Sequence, residues 1–180
     1  MNENKKDISI SMKEASSKSL LIAIPAAILQ TIPFVSLHGI PVIPPDANMA
    51  VYGFVLLLGI LTHELIHMFA WAFFAKKPLN VFKLGFQWKT FTPYAHCKEL
   101  MDIRPYRIGS YAPGLLLGIL PWLISLFTGS ILLFLFGLLY TTAAAGDFLI
   151  LWIIRKVKPN TLVEDHPTNA GCFIIEQGEN

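Results

Sequence analysis

A membrane protein is the fold class this sequence predicts: all-α, with four transmembrane helices, both termini cytoplasmic, and one small cytoplasmic β-hairpin. Three observations predict it. The chain is 54% hydrophobic and only 14% charged, well below the charge content of about 25% usual in soluble domains. Its apolar residues gather in four stretches, Leu20–Leu37, Ala50–Phe74, Ile108–Phe127 and Ser130–Ile154, each near the roughly 20 residues that cross a hydrocarbon core. All 14 lysines and arginines lie outside these stretches.

The elements follow in order. Asn2 to Lys18 is polar, and no small-residue cleavage site follows the first apolar run. Residues 1–19 are therefore expected to be a cytoplasmic N-terminal segment and not a cleaved signal peptide. Pro25, Gln30, Thr31 and Pro33 interrupt the first span. Residues 20–158 are expected to form the transmembrane domain, including a central loop at 75–107, and residues 159–180 a cytoplasmic tail.

The basic residues set the orientation. Lys5, Lys6, Lys13 and Lys18 precede the first span, seven more lie from Lys76 to Arg107, and Arg155, Lys156 and Lys158 follow the fourth. The connections at 38–49 and 128–129 carry none. The positive-inside rule then puts both termini and the central loop in the cytoplasm. A net charge of +2 calls for a lipid bilayer as partner and for no nucleic acid.

The central loop is too long for a simple connector. Leu79–Phe86 and Gln87–Tyr94 have strand-like content and predict a hairpin against the membrane face. Its edge can take an extended peptide as an added strand. Equally, it reads as a structural lid, with Phe82, Phe86, Trp88, Phe91 and Tyr94 at headgroup level. The tail segment Gly171–Ile175 is expected to add a strand to the hairpin. Only Cys97 and Cys172 are present, too few for a disulfide framework. His96 and Cys97 read as ordinary loop residues, and His38 as solvated. In the third span, Pro113, Gly114, Gly118 and Pro121 predict a kink or close helix packing.

The chemistry lies in His63-Glu64-Leu65-Ile66-His67, inside the second span. Residues i and i+4 share one helix face, so both imidazoles can reach one metal ion. Glu64 points beside that ion, where it can take a proton from an attacking water. Groups so costly in hydrocarbon point to function. Asp147 lies seven residues before the end of the fourth span, as His67 does in the second. At about 1.5 Å per residue, both stand roughly 10 Å from the inner boundary. No basic residue lies in any span to pair with these groups. A shared divalent cation satisfies them together, and two imidazoles with one carboxylate fit zinc, one Zn2+ per chain, with a fourth position open, while by ligand type alone they also suit manganese, cobalt or iron. The competing reading of Asp147 is a protonated carboxyl bonded to Thr141 or Thr142.

Beyond this reading, the chain resembles a family of small bacterial membrane proteins, the putative zincin peptidases. These in turn look like distant relatives of the site-2 class of intramembrane metalloproteases. The resemblance rests on His63-Glu64-Leu65-Ile66-His67, Ala95-His96-Cys97-Lys98-Glu99, Ala112-Pro113-Gly114, Ala145-Gly146-Asp147, and Glu164-Asp165-His166-Pro167 with Gly171-Cys172. It implies a bacterial cell membrane, zinc on His63, His67 and Asp147, and Glu64 as general base. Site-2 proteases typically carry an asparagine and proline ahead of an Asp-Gly; here Gly146 precedes Asp147 and the fourth span holds no asparagine.

The function expected is a membrane-embedded zinc metalloprotease that hydrolyses peptide bonds near the cytoplasmic leaflet. Its substrate would be a membrane protein or peptide. The alternative is a non-catalytic, metal-stabilised peptide-binding or immunity factor, for which the base Glu64 has no use.

Overall fold

The computed structural model describes residues 4–88 and 92–176; Lys89 and Phe91 lie outside them. Four helices, α1 (Met12–His38), α2 (Met49–Ala75), α3 (Ile103–Thr128) and α4 (Ile131–Lys156), are each long and apolar enough to cross a membrane. Large apolar side chains face outward along them, among them Leu21, Phe54, Phe73 and Phe127. An outward face of this extent suits hydrocarbon and not water.

The helices pack in the order α2, α3, α4, α1, so α1 and α2 stand at the two ends of the row. Small residues let α3 and α4 close on each other. A Cβ on Gly118 would lie 2.5 Å from the Thr141 hydroxyl oxygen, so only glycine fits there. Both helices are irregular. In α3 the turns widen to the π type over Gly114–Ile119, just after Pro113. Proline lacks the N–H and crowds the preceding turn. α4 breaks at Ala144 into Ile131–Ala143 and Ala145–Ile153. The expected kink and the expected close packing therefore both occur.

Six strands are present among the described residues: β1 (Asn4–Ile10), β2 (Phe82–Gln87), β3 (Thr92–Cys97), β4 (Met101–Asp102), β5 (Leu162–Asp165) and β6 (Ala170–Glu176). β2 and β3 form the hairpin, and the others make an antiparallel sheet ordered β1-β6-β5-β4. The fold is thus four long helices with two small sheets, and not purely helical apart from a hairpin. β1 leads into α1, β2 and β3 follow α2, β4 leads into α3, and β5 and β6 follow α4. All six strands therefore gather at one end of the helix row, the end that carries the basic residues.

Three expectations need correction. The hairpin strands start three and five residues later than the sequence implies. Leu79–Val81 forms a tight helical turn after Pro78, and the register runs from Phe82↔Cys97 to Gln87↔Thr92. The tail strand β6 joins β1 and β5 and not the hairpin. Part of the N-terminal segment is its partner, so residues 4–10 are strand and helix α1 starts at Met12. A pairing such as Lys5↔Ile175 spans nearly the whole chain and leaves no local signal. His38 is exposed, yet its ring Nε2 donates to the Leu126 carbonyl at 2.9 Å and the ring packs on Phe34. It ties α1 to the end of α3.

Candidate metal centre

The helix α2 places His63, Glu64 and His67 on its buried face, next to Trp71. Together they line a cleft of about 660 Å³. Its walls are the start of α1, the middle of α2 and the break region of α4, and its roof is β3 with the β5–β6 turn.

Asp147 enters from α4. It lies in the first turn after the Ala144 break, at the positive end of the second half-helix, where a carboxylate is favoured. His63 Nε2 is 3.1 Å from Asp147 Oδ2, and His67 Nε2 is 3.4 Å from Asp147 Oδ1. One ligand atom from each of the three side chains lies within 4.8 Å of the others. The imidazoles themselves stand edge to face, 4.9 Å apart. Neither threonine takes Asp147. Thr141 accepts from Gln30 Nε2 at 2.7 Å, and Thr142 donates to the Leu138 and Leu139 carbonyls.

The orientation of His67 has a traceable cause. Pro113 has no N–H to offer the carbonyl four residues earlier, which belongs to Gly109. His67 Nδ1 donates to that oxygen at 2.9 Å. A carbonyl only accepts, so Nδ1 carries a proton, and Nε2 is the ring atom that faces Asp147. In its neutral form such a ring has the Nε2 lone pair free for a metal ion, which Asp147 Oδ1, 3.4 Å away, would share. A backbone carbonyl holding the second ring nitrogen is the usual support of a ligating histidine. The donor set therefore fits zinc: two imidazoles and one carboxylate, with the cleft on the open side.

The supporting residues escaped the sequence reading. Trp71, one turn after His67, stacks on it at 5.4 Å and on Tyr106 at 5.7 Å. Its Nε1 donates to the Tyr106 carbonyl at 3.0 Å. Gly109 leaves room for this, because a Cβ there would lie 2.1 Å from the Trp71 ring. The signals were a glycine four residues before a proline and an aromatic four residues after a histidine.

A family model described as "Putative zincin peptidase" matches residues 56–162, more than half of the chain. The chain belongs to this family. The matched segment contains His63, Glu64, His67 and Asp147. Membership points to a metallopeptidase and to zinc as its metal. No curated protein and no solved structure gives a significant match.

In this zincin family member Glu64 is buried but stands outside the group of ligand atoms. The backbone N–H of Ala95, in β3, is directed at its carboxyl. The register of the hairpin explains this. Lys98 N–H donates inward to the Val81 carbonyl at 3.0 Å, while Cys97 N–H donates outward to Asp165 Oδ2 at 3.3 Å. Antiparallel pairing alternates, so His96 and Tyr94 face β2, while Cys97, Ala95 and Pro93 present their backbone to the other edge. Pro93 sits on the edge that asks no N–H of it.

His96 is no ordinary loop residue. It lies in β3, lines the cleft, and its Nδ1 meets Asp165 Oδ2 at 2.9 Å. Asp165 also accepts from the Tyr106 hydroxyl at 3.0 Å. Both cysteines are free and buried. Burial pushes the Cys172 thiol up to about 12, with the Asp165 charge adding to it, and burial raises Cys97 as well.

Proposed function

We propose that this protein is a membrane-embedded zinc metallopeptidase that cuts peptide bonds near the cytoplasmic leaflet, with His63, His67 and Asp147 as ligands and Glu64 as general base. The observation that carries the reading is the meeting of Asp147 with two histidines, one of which has already committed its proton to Gly109. Zinc held there supplies Lewis-acid chemistry toward a carbonyl and toward water.

The chain's own residues do the rest. Gly109, Trp71 and Tyr106 hold His67 at a fixed angle. Glu64 takes a proton from the attacking water and delivers it to the leaving amine, so it ends the cycle as it began. Helix-buried peptide bonds are hidden by their own hydrogen bonds, so a substrate must unwind before it is cut. The cleft beside β3, with the Ala95 backbone next to Glu64, offers an unwound segment room to lie extended. The likeness to site-2 proteases belongs to this reading. So does the orientation, which rests on the basic residues at the strand-bearing end.

Comparison of membrane proteomes from cells carrying the wild-type chain and Glu64→Gln tests the activity. A full-length precursor should accumulate with Glu64→Gln, and identical proteomes would refute the peptidase reading. Because both native cysteines are buried, cysteines introduced at positions 46 and 83 test the orientation. Position 46 should label from outside intact cells and position 83 only after lysis; the reverse would turn the site to the other face.

A further inference from the structure

Asp165 sits where β3, α3 and the β5–β6 turn meet. Its carboxylate takes His96 Nδ1–H at 2.9 Å, the Tyr106 hydroxyl at 3.0 Å and Cys97 N–H at 3.3 Å. These bonds fix the His96 ring in place. With Nδ1 committed to Asp165, Nε2 is the atom left to meet a guest, and His96 lines the same cleft as Glu64 and the ligand triad. The neighbouring residue, Ala95, faces Glu64 through its backbone N–H. An extended segment lying in the cleft along β3 would therefore pass both groups.

The geometry points to His96 as a second catalytic histidine: held by Asp165 through Nδ1, it donates Nε2–H, when both ring nitrogens carry protons, to the scissile carbonyl oxygen as negative charge builds there. This rests on the peptidase reading above and adds a residue to it. The hydrogen bond forms and relaxes within the cycle, and no bond to His96 is made or broken. The proton taken by Glu64 still goes to the leaving amine. A preorganised donor at a developing oxyanion acts mainly on the transition state, and less on the bound substrate.

The competing role is a pin that holds β3 to Asp165. Two substitutions separate them. His96→Asn places an amide nitrogen near the position of Nδ1, keeps the bond to Asp165 and removes Nε2. His96→Gln places a donor near Nε2 and gives up the bond to Asp165. The assay is conversion, in cells, of the precursor that accumulates with Glu64→Gln. His96→Asn should slow conversion about 100-fold, the usual loss for one oxyanion donor. His96→Gln should recover about tenfold of that, because it restores a donor near the oxygen.

Two readouts besides activity should stay level: the zinc content of purified His96→Asn, and the amount of precursor that copurifies with Glu64→Gln when His96→Asn is added. Conversion at the wild-type rate in His96→Asn would reduce His96 to a pin. Loss of zinc or of copurifying precursor with His96→Asn would likewise overturn the proposal, since the effect would lie on folding or ground-state binding. If Glu64→Gln accumulates no precursor, the peptidase reading fails and takes this one with it. That outcome is distinct from accumulation with Glu64→Gln alongside unimpaired His96→Asn.

Discussion

Asp147 and Asp165 are two carboxylates withdrawn from bulk water, both meeting histidine, and the protein treats them differently. Asp165 is surrounded by hydrogen-bond donors: a ring nitrogen, a hydroxyl and a backbone N–H. Its charge is matched within the protein. Asp147 meets only the Nε2 atoms of His63 and His67, and His67 has its proton turned away toward Gly109. Two imidazoles converging on one carboxylate make a set that a cation from outside the chain can complete. One carboxylate organises structure, and the other is left poised for a cation. The donors around a buried acid, more than its burial, tell the two roles apart.

Metal content gives the strongest test of this contrast. Wild-type protein should bind about one zinc per chain, and His63→Ala, His67→Ala or Asp147→Ala should each reduce that to near zero, because three protein ligands are the minimum for such a site. Asp165→Ala should leave it unchanged. Elemental analysis of purified protein decides, and full occupancy in Asp147→Ala would remove that residue as a ligand.

Stability should show the opposite ranking. In protein stripped of metal, Asp165→Ala leaves His96 Nδ1–H and the Cys97 N–H without their acceptor, while the Tyr106 hydroxyl keeps the Gly171 carbonyl, and should destabilise by about 3 kcal/mol. Asp147→Ala in the same stripped protein takes away two imidazole contacts and should cost less. Thermal unfolding in detergent measures both. Equal losses would erase the distinction between the two acids.

Gly109→Ala probes the support under the metal. Its Cβ would press into Trp71, which should cost about 1–3 kcal/mol by overpacking. Tilting the carbonyl that holds His67 should weaken zinc about tenfold. Competition with a chelator reads the second effect, and unchanged affinity would show that the Gly109 carbonyl does not tune the ligand.

The smallest effect concerns pH. Asp165, unlike Asp147, has both thiols beside it, and each is raised chiefly by burial and then by that charge. The folded state therefore holds these protons more tightly than the unfolded chain. Their contribution is complete below the unfolded thiol range near pH 9 and declines as pH rises toward about 12, the folded value for Cys172. Unfolding midpoints should fall across that window. Asp165→Asn should flatten the fall, and an unchanged slope would mean that Asp165 contributes nothing to it.

Much of the architecture was legible along the chain. Hydropathy in a bilayer is a one-dimensional signal, because any segment that crosses must be apolar over its whole length. That is why four helices could be read from composition, although α1 and α3 start several residues before their apolar stretches, at their polar ends. The pairing of Asp147 with the α2 histidines was legible for a related reason. Depth in a membrane is counted in residues from the boundary, so two groups seven residues from matching ends arrive at one level.

The sequence by itself thus determined the four helices, the shared face of His63 and His67, and the depth of Asp147. Tertiary structure alone decided the rest. The Gly109 carbonyl is freed by Pro113 within α3, but only the packing of α2 against α3 brings His67 to it. β1 and β6 become strands because residues at opposite ends of the chain meet. His96 acquires its orientation from Asp165, 69 residues away. Each of these depends on contacts between segments that carry no mutual signal in hydropathy or local spacing, since hydrogen-bond partners are chosen by distance in space and not by distance along the chain.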